Sequence, residues 1–303
     1  MVDRTPSAEE LARLSRLELE AREVVEGFLT GPHASPYFGQ SLEFAQHREY
    51  VPGDGTRRLD WKAFSKTDKL YLKLYEEETN LRTLLLVDAS ESMQFGSVGG
   101  RGRRGGEKTK FDQACLLAAS LAHLLLRQQD SVGMMTFDEA VRSQVVSRTS
   151  QQHLRTLLTA LSAEKPAKKT TLSETLRAAA DQKSQRGLIV LISDLLVSPE
   201  DLRKGLGLLR QRRHEIVVLH TMDSRELDFD FSGTTKFVGL EGAGELTCEP
   251  RTLREGYMKA LDEHLSAVRR ICGQVGADYQ LIRTDESPSA AFSTLIERRK
   301  RRR

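Results

Sequence analysis

Thr83-Leu84-Leu85-Leu86-Val87-Asp88-Ala89-Ser90-Glu91-Ser92 is the stretch on which the reading of this chain turns. Thr83–Val87 is a short, β-rich apolar run that ends on an aspartate, and a second such run, Gly187–Ser193, ends on Asp194. Apolar runs without polar alternation suit strands buried on both faces, as in a parallel sheet. Ligands of such sheets collect in the crevice beyond the carboxyl ends of the strands. Both aspartates fall there.

Outward from this stretch the pattern alternates. Phe111–Gln128 reads as a helix apolar on most faces, Val132–Phe137 as a strand and Val141–Val146 as its short partner. Helices follow at Gln151–Ala163 and Ser173–Gln182, then the Gly187–Ser193 strand, a helix at Pro199–Arg212 and a strand at Glu215–His220. Pro199 suits a first helical turn. Strand–helix alternation predicts βαβ crossovers, hence an α/β fold with a mostly parallel sheet and helices on both faces. Beyond it, Lys236–Leu246 reads as a hairpin, Thr252–Cys272 as a long helix, Tyr279–Arg283 as a strand and Pro288–Arg299 as a terminal helix. Ahead of it, Ser7–Phe28 has helical apolar spacing, Gly31–Pro36 breaks the pattern, and Tyr37–Thr79 is polar and aromatic without a long period. The expected division is an N-terminal module over 1–79, the α/β domain over 80–225, and an α+β extension over 226–303 that completes the fold.

The 303 residues, 39% of them apolar, suffice for one large domain or a main domain with a companion. No apolar run nears the roughly 18 residues of a membrane span, and MVDRTPSAEELARL lacks a signal-peptide core. A soluble, cytoplasmic protein is expected. Cys115, Cys248 and Cys272 are far apart and form no C-x-x-C pair, which fits a reducing compartment and neither a disulfide frame nor a zinc site. Two clusters account for the basic excess, Arg101–Arg104 in a Gly/Arg-rich stretch and the tail Arg298–Arg303. Gly96–Lys110 and the tail read as low-complexity, and Gly99–Gly106 as a mobile loop at the rim of the site that could seek anions. It lacks the aromatics that stack bases, so nucleic acid is the weaker reading; the tail reads as a solvated terminus.

Alternate residues of a tight loop can aim the Asp88 carboxylate and the Ser90 and Ser92 hydroxyls at one centre. These are hard oxygen donors, suited to Mg2+ or Mn2+. Three such donors fill about half an octahedral shell. Lys168-Lys169-Thr170-Thr171-Leu172 can add a hydroxyl, from Thr170 or alternatively Thr171, and Asp194 a second carboxylate, directly or through water. The competing account is that Asp88 and Asp194 cap helices while the serines satisfy loop backbone.

D-x-S-x-S, a second-loop Thr and a third-loop Asp together resemble the metal-ion-dependent adhesion site of the von Willebrand factor A fold. The resemblance assigns Asp88, Ser90, Ser92, Thr170 and Asp194 to the metal, and it implies that the cation takes an acidic side chain of a partner as its last ligand. One departure is Lys169, where that family usually has glycine. Arg48, Tyr50, Pro52-Gly53-Asp54, Arg57, Leu59-Asp60-Trp61, Tyr75–Glu78 and the following Asp88, Ser90, Ser92 and Met93 resemble the bacterial domain-of-unknown-function family fifty-eight. Read by itself, Pro52–Gly55 is a turn, Arg48, Asp54, Arg58 and Asp60 a local charge network, and Trp61 a packing anchor. That resemblance covers Tyr37 to the end and implies a von Willebrand factor A-type partner or adaptor of a MoxR-type AAA+ ATPase acting on a client protein. It implies no reaction.

The residues give no catalytic constellation. A haloacid-dehalogenase-like loop needs a second Asp where Ser90 stands, and no G-x-x-x-x-G-K-[ST], G-x-S-x-G or H-x-x-x-H pattern occurs. Recognition without catalysis is expected. A Mg2+-dependent phosphoryl-transfer hydrolase is the alternative, followed by a nucleic-acid-binding protein using the Gly/Arg loop and tail.

Overall fold

In a computed structural model of the chain, the described residues are 7–30, 44–49, 64–65, 69–75, 81–96, 98–99, 107–182, 186–231, 233–239, 244–289 and 292. The basic cluster Arg101–Arg104, the tail Arg298–Arg303 and all of the Arg48–Trp61 segment past Glu49 lie outside them.

The chain divides into two compact units, Met1–His33 with Leu81–Arg303, and Ala34–Asn80. This differs from a module spanning 1–79, because the first helix groups with the α/β unit. That helix, α1 (Ala8–Thr30), buries Leu14, Leu17, Ala21, Val25 and Phe28 along one stripe. Its N-terminus is closed by Ser7 and Glu10, each side chain bonding the other's backbone N–H, at 3.2 and 2.8 Å. In the second unit, β1 (Phe44–Glu49) pairs antiparallel with β2 (Tyr71–Tyr75).

The larger unit is built on β3 (Arg82–Asp88), β6 (Ser131–Phe137), β7 (Val141–Arg148), β8 (Leu188–Ser193), β9 (Glu215–Met222) and β12 (Asp278–Arg283). They form one six-stranded sheet in the order β12-β9-β8-β3-β6-β7. All neighbours are parallel except β6 and β7. Every residue of β8, and all but the first of β3 and β6, is buried, as a sheet covered on both faces requires. Edge strand β7 alternates instead, its outward residues exposed. The strand at 278–283 is a full member of the sheet, pairing along β9, so the main sheet extends beyond the expected 80–225.

Helix α2 (Lys110–Arg127) packs against β3, β6, β8 and β9, with α1 and α3 (His153–Ala163) beside it. Leu84, Leu86, Met135, Phe137, Ile189, Leu191, Ile216 and Val218 form the core on one sheet face. It is covered by α4 (Leu172–Gln182), α5 (Pro199–Gln211) and α7 (Pro250–Val275). Smaller elements complete the unit. Val98–Gly99 (β4) pairs with Glu107–Lys108 (β5), Ser224–Asp228 is a short α6, and Thr235–Val238 (β10) with Glu245–Cys248 (β11) makes the expected hairpin. Of the terminal helix expected over 288–299, residues 288, 289 and 292 are helical and the rest lie outside the described residues.

From β3 the chain moves to β6 and β7 on one side, then returns across to β8 and on to β9 on the other. The reversal lies between the carboxyl ends of β3 and β8. That is the topological switch point at which open α/β sheets form their ligand crevice.

Candidate metal centre

Asp88 is the last residue of β3, and Asp194 directly follows β8. Both are fully buried, as is Ser90, while Ser92 is 5% exposed. The loop after β3 turns at once into a short 3-10 helix over Glu91–Gln94. Asp88 Oδ1 accepts from the Ser90 backbone N–H at 2.9 Å, and the Ser90 and Ser92 hydroxyls lie 3.1 Å apart. The Thr170 hydroxyl donates to Asp88 Oδ2 at 3.5 Å. Thr171 instead gives its N–H to the Asp138 carbonyl at 2.9 Å. Asp88, Ser90, Ser92 and Thr170 thus meet at one place, and Asp194 joins them through a hydrogen bond from the Ser92 hydroxyl.

The capping account of the aspartates does not describe this geometry. The cap of α5 is Ser198, whose hydroxyl accepts from Asp201 N at 3.1 Å. The 3-10 helix has no side-chain cap at all.

Backbone bonds tie the first loop to the end of β6 and to the second loop. Ala89 N–H donates to Phe137 O (2.7 Å), Ala167 N–H to Ala89 O (2.9 Å) and Glu91 N–H to Lys168 O (2.8 Å). Arg142 fastens the second loop from behind, donating to Lys165 O at 2.8 Å and pairing with Glu164 at 3.2 Å. Glu164 in turn accepts from buried Thr136 at 2.7 Å. The left-handed backbone position in this loop is Lys168 (φ 61°), two residues before Thr170. Lys168 and Lys169 are both exposed, and Lys168 Nζ lies 3.5 Å from Glu139. In the third loop Leu195, also left-handed (φ 53°), is fully buried, and its N–H is taken by Ser193 Oγ at 2.9 Å. A buried non-glycine held there is a strained position that its surroundings must enforce.

Four participants were not singled out in the sequence. Ser193 Oγ donates to Asp88 Oδ2 at 2.5 Å. Lys110, the first residue of α2, is fully buried, with Nζ 2.8 Å from Asp194 Oδ2 and 2.9 Å from Glu226 Oε1. The other carboxylate oxygen of Glu226 accepts from Asp223 N at 3.1 Å, closing the capping box of α6. His220, buried on β9, bonds the Asp194 carbonyl through Nε2 at 2.7 Å and Tyr279 OH through Nδ1 at 3.0 Å.

Burial, then the charge of Asp194, pushes the Asp88 carboxyl up to about 7, against the pull of its Ser193 and Ser90 bonds. Burial would also raise Asp194. The Lys110 ammonium and the Ser92 hydroxyl more than reverse this and hold Asp194 below the usual carboxylate range. Burial works against the charge of Lys110 too, yet Asp194 and Glu226 together keep it above its ordinary value. Burial takes His220 down to about 4, so it is a neutral ring at physiological pH. Asp88 is therefore a carboxylate short of positive charge, beside a second carboxylate that already has its cation.

The donor set fits a small divalent cation. Adjacent ligands of octahedral Mg2+ sit about 2.9 Å apart, from metal–oxygen distances near 2.0–2.1 Å; the Ser90–Ser92 spacing is close to this. Among the described residues no group of three or more His, Cys, Asp or Glu is arranged to hold a metal. A cation at this place would rest on hydroxyls as much as on carboxylates.

The family description "Protein of unknown function DUF58" matches residues 46–267. The chain belongs to the DUF58 family. An uncharacterized protein from Mycobacterium tuberculosis (strain ATCC 25618 / H37Rv) is 28% identical over 295 residues, covering 96% of this chain and 90% of the relative. Among solved structures, BatB from Bacteroides thetaiotaomicron is 13% identical with a TM-score of 0.44, covering 72% of this DUF58 chain and 98% of that one. An aerotolerance-related membrane protein from Bacteroides fragilis NCTC 9343 is 14% identical with a TM-score of 0.46, over 72% and 97%. The VWA domain of SpRpn10 is 13% identical with a TM-score of 0.38, over 69% and 93%. Among the described residues of this DUF58 protein, no helix is long and apolar enough to cross a membrane.

Proposed function

We propose that this chain is a divalent-cation-dependent protein-recognition module, which captures an acidic side chain of a client and works with a MoxR-type AAA+ ATPase. The observation that carries the reading is the convergence of Asp88, Ser90, Ser92 and Thr170, with Asp194 behind Ser92, at the switch point of the sheet. Asp88, Ser90, Ser92 and Thr170 would hold Mg2+ or Mn2+, with Asp194 reached directly or through water. When bound, the cation supplies an electrophilic centre whose remaining position suits a carboxylate, because most of its other ligands are neutral hydroxyls. The chain's own part is to pre-form the loops, so that little ordering is lost on binding. Leu196, 47% exposed two residues after Asp194, gives the rim an apolar contact. The partner class comes from the family resemblance.

Hydrolysis with Asp88 as nucleophile fits less well. A haloacid-dehalogenase-like loop needs a second carboxylate two residues after the nucleophile, and that position is Ser90, whose hydroxyl lies 3.1 Å from that of Ser92.

The test is a binding titration of the full chain against a MoxR-type ATPase from the same cell, with Mg2+ and after chelation. Asp88→Asn serves as the control that separates this cation from the ATPase's own. Affinity lost both on chelation and in Asp88→Asn supports the reading. Equal affinity of wild type and Asp88→Asn for both the ATPase and its client would contradict it.

A further inference from the structure

Lys110 stands where an ammonium is least welcome. It is fully buried, and it begins a helix whose N-terminal dipole end repels positive charge. The ammonium is held there by its two carboxylate partners, which would be left buried and unpaired without it. What the ammonium does is specific. It occupies Asp194 Oδ2 and Glu226 Oε1, and it sits 5.8 Å from the Phe95 ring centroid. Asp194 is left with Oδ1, whose N–H partner Leu196 is a long 3.4 Å away, and with the Ser92 hydroxyl. Through Glu226 and Asp223 the same ammonium is tied to the end of β12, where Thr284 Oγ1 donates to Asp223 Oδ2 at 2.9 Å.

We propose that Lys110 and Glu226 are the charge-setting pair of the cation site, fixing the charge that the cation must cancel. This rests on the cation-binding reading above. The three carboxylates Asp88, Asp194 and Glu226 with the one ammonium sum formally to minus two, the charge of one divalent ion reversed. Without Lys110 the group would sum to minus three and draw cations more strongly. Without the Glu226 charge it would sum to minus one and draw them less. Neither residue needs to touch the ion for this, because charges a few ångströms apart in a buried site interact strongly.

Mn2+ titration of the chelator-stripped full chain tests it, with circular dichroism confirming that each variant is folded. Glu226→Gln keeps the Lys110–Asp194 pair and is expected to bind Mn2+ roughly tenfold more weakly. Lys110→Met is expected to bind roughly tenfold more tightly. Lys110→Met/Glu226→Gln restores the formal charge and is expected to return near wild type. Should Lys110→Met not fold, Glu226→Gln and the double variant carry the comparison. Wild type that binds Mn2+ alongside a Glu226→Gln of unchanged affinity would overturn the charge-setting role alone, as would weaker binding by folded Lys110→Met. Wild type that binds no Mn2+ would overturn the cation reading and this inference with it.

Discussion

Asp88→Asn is expected to abolish cation binding, weakening Mn2+ affinity by about a hundredfold or more, while making the metal-free protein relatively more stable at high pH. The two effects share one cause. In the metal-free fold Asp88 keeps its proton up to about 7, because it is buried beside Asp194, whereas an unfolded chain releases it near 3.9 (a typical aspartate value, ~3.9). Its folded pKa lies above its unfolded one. Between about pH 4 and 7 the unfolded state has lost the proton and the folded state still holds it, so stability falls as pH rises through that window and stays lower above it. Asparagine never ionises and escapes the loss, on the order of a few kcal/mol. In chelator, the stability of Asp88→Asn relative to wild type should therefore rise between pH 4.5 and 8. Added Mg2+ should reverse the order at pH 8 by stabilising wild type alone. Thermal melts of both proteins at both pH values, with and without Mg2+, read all of this. A pH-independent difference would argue against a buried, cation-starved carboxylate.

Phe137→Ala is expected to cost about 3–5 kcal/mol and to lower the melting temperature by roughly 10 °C. Phe137 ends β6 and is fully buried in the sheet core with Leu84, Leu86 and Leu191. It stands directly opposite Asp88 in the parallel ladder. Its carbonyl takes the N–H of Ala89, the first residue of the loop after β3, so the cavity opens beneath that loop. Phe137→Leu should lose about 1.5 kcal/mol or less and keep cation affinity near wild type. Similar melting temperatures for the Ala and Leu variants would show that this part of the core is not close-packed.

Much of this was legible in the chain, for reasons that differ by residue. Thr83–Val87 and Gly187–Ser193 announced themselves as strands because a sheet covered on both faces leaves no polar positions. The meeting of Asp88, Ser90 and Ser92 was readable because they stand at local spacing on one loop, and that of Thr170 and Asp194 because a known arrangement orders them. Lys110 was not readable. It closes the Gly- and Arg-rich stretch 96–110, where composition predicts solvated charge, and only tertiary structure turns it inward. Thr109 and Asp112 do carry a capping-box signature, which places the helix start but not the direction of the lysine beside it. Glu226 was hidden differently, one residue past the expected domain edge at 225. The parallel pairing of β12 with β9 joins strands separated by a hairpin and a long helix, and no local pattern encodes such a contact.

The central claim is that two carboxylates and a ring of hydroxyls at the β3/β8 switch point hold a divalent cation. Anomalous diffraction from crystals of the full chain grown with Mn2+ tests it most directly. The account predicts a single strong peak within bonding distance of Asp88, Ser90, Ser92 and the Thr170 hydroxyl, with Lys110 still paired to Asp194 and Glu226. A peak elsewhere on the chain, or none at this crevice in crystals that bind Mn2+ at other positions, would contradict it.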